Sequence, residues 1–175
     1  IIAEVKKRLH AVGQNCVQFS FPGKEPGTLG SHIYELHHQP AQFGIERLSA
    51  LSLQILHVAA HVDMIERRIL PLIREGKTVL LDRYWWSTWV YGIAAGVPMA
   101  QLEMVLSVEH LVWQGVTPTA LFLISRSSTS DPLDTAQIYQ KLLEQESDKY
   151  SVVSIRNEDT IDLIVDEILK TIASS

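Results

Sequence analysis

The sequence contains little cysteine, no long apolar run and no excess of positive charge. Its single cysteine, Cys16, excludes an internal disulfide and a cysteine-based metal cluster. No apolar stretch approaches the roughly 18 residues that a membrane-spanning helix needs, and we find no signal-peptide pattern. A formal net charge of −5 argues against a broad grip on a phosphate backbone. We therefore expect a cytoplasmic protein without a membrane or nucleic-acid partner.

The 175 residues are 46% hydrophobic, which is enough apolar surface for the core of one globular domain. Short apolar runs, each typical of a buried strand, alternate with segments of helical periodicity. The predicted strands are residues 15–21, 77–81, 119–124 and 150–155. The predicted helices are residues 1–12, 31–38 with Ser31 as N-cap, 46–76 with a break near Pro71, 99–113, 133–147 and 159–173. This alternation predicts an α/β fold with a parallel sheet.

Polar or glycine-rich segments follow three of the predicted strands. They are the loop PGKEPGTLG at residues 22–30, the pair Asp82-Arg83, and the segment SRSSTS at residues 125–130. Parallel α/β folds bind ligands beyond the carboxyl ends of their strands. We therefore expect these three segments to form one site.

Four stretches, in this order along nearly the whole chain, carry a resemblance to a known family. GKEPGTLG is similar to an R-E-P-G-G-T-x-x-G loop, shortened and with Lys24 in place of the arginine. LHVAAHVDMIERRILPLIREGKTVLLDRY follows the pattern F-x-A-x-R…I-x-P-x-L…G-x-x-V-x-x-D-R. DRYWWSTWVY is similar to D-R-Y-x-x-S-x-x-A-Y, and TALFLI is similar to the strand before a mobile lid. The sequence thus resembles the thymidylate kinases, a branch of the nucleoside monophosphate kinases.

This resemblance implies a P-loop NTPase fold of the nucleoside monophosphate kinase type. Such a fold has three layers, a parallel sheet with helices on both faces, and residues 1–175 would form a single domain of this kind. The resemblance implies transfer of a phosphoryl group from ATP to dTMP or a related deoxynucleoside monophosphate, with magnesium, in a homodimer. A non-catalytic nucleotide-binding or interaction module derived from this fold is the alternative. A kinase for another small phosphorylated acceptor is a third possibility.

The resemblance also implies roles for individual residues. Arg83 can clamp a phosphate through two parallel hydrogen bonds, which suits it better than lysine. Asp82 can hold magnesium through water, or orient Arg83. Lys24 would approach the acceptor phosphate, and Glu25 would lie near the sugar or the metal shell. The residues that would line the nucleoside pocket on the following helix are Ser87 and Tyr91.

Each of these segments also has a purely structural interpretation. Asp82 and Arg83 could form a local salt bridge that ends the strand, and EPGTLG could be a tight turn. Ser87 and Tyr91 could be capping and core residues. We interpret the tryptophans of this segment as packing or dimer-face residues; they are Trp85, Trp86 and Trp89.

Two histidines stand where the family has an aromatic residue that stacks on the base and an arginine that reads the edge of the base. His57 and His61 are four residues apart and therefore share one helix face. Neutral imidazole can stack and hydrogen-bond but does not reproduce that pair, so the accepted base need not be thymine. One buried and one exposed histidine is the structural alternative. A metal site at this His-x-x-x-His pair would need a third ligand, and we find none at a spacing typical of such sites. We interpret His37 and His38 as solvated.

The sequence contains no G-x-x-x-x-G-K-[ST] motif, whose backbone amides and lysine cradle the phosphates of ATP. It also has no arginine-rich lid after TALFLI, where Arg126 is the lid candidate. The first helix resembles the one that follows the phosphate loop in the family. We therefore expect a first strand and that loop before residue 1, and further lid residues near 126–130.

Overall fold

The computed structural model describes residues 1–125, 135–158 and 160–174. Its helices are α1 (Ile2–Ala11), α2 (Leu29–His38), α3 (Ala50–Met64), α4 (Leu70–Arg74), α5 (Trp85–Ala94), α6 (Met99–Val112), α7 (Thr135–Glu146) and α8 (Ile161–Ser174). Its strands are β1 (Cys16–Ser20), β2 (Thr78–Asp82), β3 (Leu121–Ser125) and β4 (Val152–Arg156). The chain divides into two compact units, one of residues 1–16 and 116–175 and the other of residues 17–115.

The described strands form two sheets of two strands each, β1 with β2 and β3 with β4. Strands β3 and β4 are parallel, with Leu121 opposite Val152 and Ser125 opposite Arg156. Parallel pairing is therefore confirmed for β3 and β4, and the fold is mixed α/β. The three-layer arrangement stays a prediction.

The prediction that the second and third strands are buried is wrong. In β2 the first four residues are half-buried and Asp82 is exposed. In β3 the first three residues are half-buried and the last two are exposed. Each of these strands has one hydrogen-bonded neighbour among the described residues. One edge of each strand therefore lacks the covering that a central strand receives.

In the unit of residues 1–16 and 116–175, α1 packs against α8. The buried residues of the two helices are Val5, Leu9, Ile164, Val165 and Ile168. Arg8 lies at the margin of this contact, where its guanidinium bonds to Glu4 at 3.2 Å, to Asp166 at 2.6 Å and to Asp162. The apolar contact supplies most of the stability, because partly exposed ion pairs contribute about 1 kcal/mol or less each.

In the unit of residues 17–115, α3 is the central helix and packs against α2, α5 and α6. It begins at Ala50, later than predicted, because the Ser49 hydroxyl caps the helix by accepting the Ser52 N–H at 3.1 Å. The buried apolar residues at the centre of this unit include Val58, Ile65, Ile69, Val90, Leu102 and Leu106. No helix in the described ranges is both long and apolar enough to cross a membrane.

The predicted break near Pro71 takes the form of a π-helical turn. α3 passes at Met64 into a π-helical segment, Ile65–Ile69, which leads into α4 with Pro71 in its first turn. Proline has no backbone N–H, and its ring would clash with the carbonyl four residues earlier, that of Arg67. A wider turn just before the proline accommodates both effects.

The predicted N-cap of α2, Ser31, is wrong, because the helix begins one turn earlier. Thr28 is the N-cap, and its hydroxyl oxygen accepts the Ser31 N–H at 3.1 Å. The Ser31 hydroxyl in turn donates to the Thr28 carbonyl at 2.8 Å. Serine and threonine are both good N-caps, and the turn made by residues 25–28 places Thr28 at the N-cap position.

Candidate active site

Asp82 and Arg83 occupy the carboxyl end of β2. The Phe21 N–H donates to the Asp82 carbonyl at 2.9 Å, which joins the segment after β1 to the end of β2. Both Asp82 and Arg83 are exposed, and neither side chain makes an ion pair or hydrogen bond with a described residue. The local salt bridge that could have explained the pair is therefore absent from the described part of the chain.

Arg83 has a backbone φ of +71°, in the left-handed region that an L-residue seldom adopts. Such a conformation costs on the order of 1–3 kcal/mol and occurs often at ligand sites. It places Arg83 between the end of β2 and the first turn of α5, whose N-cap is Tyr84. A strained residue with an unpaired guanidinium is more typical of a binding site than of a strand terminus.

Ser87 and Tyr91 lie one turn apart on α5 and therefore share a face. The guanidinium carbon of Arg83 is 5.5 Å from the centroid of the Tyr91 ring, within the range of a cation–π contact. Ser87 is half-buried and donates its N–H to the Tyr84 carbonyl at 2.9 Å in the first turn of the helix. The structure thus brings Tyr91 to Arg83, and places Ser87 on the same side of α5.

The glycine-rich loop after β1 positions Lys24 and Glu25. The Lys24 ammonium nitrogen is 4.4 Å from the centroid of the Tyr34 ring on α2. The Lys24 N–H donates to Glu25 Oε2 at 3.2 Å, and the Glu25 carbonyl accepts the Thr28 hydroxyl at 2.7 Å. Both side chains are exposed. The loop is therefore an ordered turn that holds its lysine against α2.

Gly30 lets the first turn of α2 approach this loop. A Cβ at residue 30 would lie 1.9 Å from the Pro22 carbonyl oxygen and 2.9 Å from the Cα of Gly23. Both atoms belong to the backbone, so they cannot move aside as a flexible side chain could. The loop and the start of α2 are therefore in direct backbone contact.

His61 lies in the interior of the unit. Its Nδ1 is 2.9 Å from Oε2 of Glu109 on α6, and both residues are buried. Its ring stacks on Phe21 with centroids 4.0 Å apart and planes 12° apart. His61 therefore links α3, α6 and the segment after β1, and its Nδ1 edge is occupied by a protein partner.

His57 lies one turn earlier on α3 and is half-buried. Its pKa is lowered to about 3, mainly by burial and to a smaller extent by the nearby groups His61, His37, Arg83 and His38. His57 is therefore neutral at physiological pH, with one donor and one acceptor nitrogen. The His37 ring meets it edge-on with centroids 5.3 Å apart.

The sequence model of the family described as Thymidylate kinase matches residues 1–168. The chain belongs to the thymidylate kinase family. A protein named thymidylate kinase from Thermoanaerobacter sp. (strain X514) is 35% identical over 104 residues, which cover 58% of this chain and 48% of that relative. The one from Chlamydia trachomatis serovar D is 35% identical over 99 residues, covering 55% and 45%. The one from Pelodictyon phaeoclathratiforme is 25% identical over 122 residues, covering 69% and 54%. The chain spans about half the length of these relatives.

No group of three or more His, Cys, Asp or Glu residues in the described ranges is arranged to hold a metal ion. The carboxylate of Asp82 is exposed and has no ion-pair partner within the described ranges, so it fits a magnesium ion that keeps most of its water ligands. Arg126, the lid candidate, lies outside the described residues.

The sequence predicts that His37 and His38 are solvated and gives no sign of their ring contacts. Both are exposed, but the His37 ring meets His57 and the His38 ring lies 4.1 Å from that of Tyr34. The contact between α2 and α3 produces this arrangement. A histidine pair at the end of a helix carries no sequence signal for the helix that will pack beside it.

Proposed function

We propose that this protein is a nucleoside monophosphate kinase that transfers a phosphoryl group from ATP to dTMP or a related deoxynucleoside monophosphate. Family membership supports the reaction class. The observation that carries the proposal is the strained Arg83 beside Asp82 at the end of β2, neither of which has an ion-pair partner among the described residues. The match runs across both compact units and supports treating residues 1–175 as one domain.

The residues at the end of β2 would act on the acceptor phosphate. Arg83 would bind two of its oxygens through parallel hydrogen bonds, with its guanidinium oriented by the ring of Tyr91. Lys24 would add a second positive charge from the loop after β1. Because the transferred group is highly charged and needs little covalent assistance, these groups would act by positioning and by electrostatic stabilisation.

The remaining site residues would hold the metal and the nucleoside. A magnesium ion, when bound, would neutralise charge on the phosphates, and Asp82 would hold it through water. Glu25 would lie near the sugar or the metal shell. Ser87, Tyr91 and His57 would line the nucleoside pocket. For His61 we propose a supporting role, because Glu109 and Phe21 occupy its edge and its face.

We also propose a homodimer, through a surface other than the tryptophan-rich segment. Trp85 and Trp86 are buried within their own unit and are packing residues. The large exposed apolar side chains of this unit include a stripe on α6 and one residue on the adjoining α3. We call the three residues of α6 the α6 stripe; they are Met104, Val108 and Leu111. An exposed apolar face of this kind is typical of an interface.

The test of the proposed function is production of ADP by the purified protein from ATP, magnesium and dTMP. We expect Arg83→Ala to lower turnover by about 10³-fold or more, because it removes the phosphate clamp. We expect the melting temperature to change by no more than about 2 °C, because alanine carries the same left-handed strain as arginine. Arg47→Ala, which removes another exposed arginine, is the matched control.

Two results would contradict the proposed function. Binding of dTMP without any ADP production would favour the non-catalytic nucleotide-binding module. Equal losses of melting temperature and activity in Arg83→Ala would make Asp82-Arg83 a structural pair.

A further inference from the structure

Imidazoles from α2 and α3 are in ring contact with one another. His57 on α3 and His37 at the end of α2 meet edge-on with ring centroids 5.3 Å apart. We call these two residues the imidazole wall. The His38 ring lies 4.7 Å from that of His37 and extends the contacts toward Tyr34.

The imidazole wall lies near the residues proposed to hold phosphate. The Arg83 charge is among the causes of the lowered pKa of His57, so the two side chains are close enough to interact. Lys24 lies over Tyr34, whose ring is 4.1 Å from His38 and so belongs to the same series of ring contacts. A nucleotide whose phosphate is held by Arg83 and Lys24 would extend its base toward the wall.

His61 cannot serve as a fixed donor to that base through its Nδ1. That nitrogen is engaged by Glu109 at 2.9 Å, the ring face is covered by Phe21, and the residue is buried. The imidazole wall, by contrast, has ring nitrogens that can donate and accept hydrogen bonds. An imidazole of the wall thus differs from a guanidinium, which can donate hydrogen bonds but cannot accept them.

We infer that the imidazole wall reads the base of the acceptor nucleotide and accepts either an amino or a keto group at position 4 of a pyrimidine. Deoxycytidine and thymidine monophosphates would then bind with similar affinity. Cytosine presents a donor at this position and thymine an acceptor. A neutral imidazole can hydrogen-bond to either group, because moving its proton between the two ring nitrogens exchanges donor and acceptor. This inference rests on the proposed function, since it concerns the acceptor side of that reaction.

The test is calorimetric titration of the purified protein with dTMP and with dCMP. We expect the two dissociation constants to agree within about tenfold. His37→Arg replaces a donor-and-acceptor ring by a donor-only group at an exposed position. We expect it to shift the ratio of the two constants by about tenfold or more in favour of dTMP. His32→Arg adds the same charge at an exposed position of α2, outside the wall, and should leave the ratio unchanged.

The possible results separate this inference from the proposed function. If dTMP binds and dCMP does not, or if His37→Arg and His32→Arg shift the ratio equally, the wall does not read the base. Kinase activity toward dTMP would survive either result. If neither nucleotide binds, the proposed function fails and the inference fails with it.

Discussion

The lowered pKa of His57 predicts how the stability of the protein depends on pH, because this pKa differs between the folded and unfolded chain. In the unfolded chain its pKa is near the ordinary histidine value of 6.5, and in the folded protein it is about 3. Burial is the main cause. Neighbouring groups contribute less; they are His37 and His38 from α2, His61 from the same helix, and Arg83 from the end of β2. The unfolded state therefore binds more protons below pH 6.5, and the free energy of unfolding falls as the pH drops from there toward 3.

His57→Gln removes this proton uptake. We expect the melting temperature of the variant to fall less steeply than that of the wild type between about pH 6.5 and pH 4.5. His32→Gln, an exposed histidine on α2, should keep the wild-type slope. Melting curves across this pH range provide the measurement. Identical slopes for His57→Gln and the wild type would show that His57 titrates near its ordinary pKa in the folded protein.

At the scale of the elements, the close approach of α2 to the loop after β1 depends on Gly30. In Gly30→Ala the new Cβ would meet the Pro22 carbonyl oxygen, so the helix or the loop must shift. We expect the free energy of unfolding to fall by about 3 kcal/mol. We also expect weaker nucleotide binding, because Lys24 and Glu25 belong to that loop.

Gly44→Ala is the matched control for this prediction. Gly44 has a φ of +70° and open space around its Cα, so alanine there meets strain but no clash. Gly44→Ala should lower the free energy of unfolding by about 1 kcal/mol and leave nucleotide binding unchanged. Chemical denaturation and nucleotide titration measure the two effects. Equal losses in both variants would mean that the loop tolerates the added methyl group.

At the scale of the whole molecule, the α6 stripe predicts how two copies associate. Met104 is 75% exposed and Leu111 is 79% exposed, and these two residues lie seven positions apart on one face of α6. We expect sedimentation to show a dimer for the wild type and a monomer for Leu111→Glu, because a charge would be buried without a partner. Leu163→Glu introduces the same charge at an exposed leucine of α8 and should leave the dimer intact. A wild-type monomer, or dissociation by both variants, would contradict this interface.

Much of the local structure could be predicted from the sequence. The apolar run before Asp82 predicts a strand over residues 77–81, and β2 agrees within one residue at each end. Pro71 predicted a helix break, and the π-helical segment precedes it. These predictions succeed because backbone geometry and side-chain periodicity act over a few residues. The N-cap of α2 failed at the same scale, since Thr28 and Ser31 are both good caps and the turn before them selects one.

The arrangement of the candidate site depended on packing between elements. His61 pairs with Glu109, 48 residues away, and both residues are buried. His37 meets His57 because α2 packs on α3, and Lys24 lies over Tyr34 because the loop approaches that same helix. Periodicity in a chain specifies which residues share a face of one helix or strand. Which faces meet depends on how all the apolar surfaces are buried together, and a sequence pattern of a few residues does not contain that information.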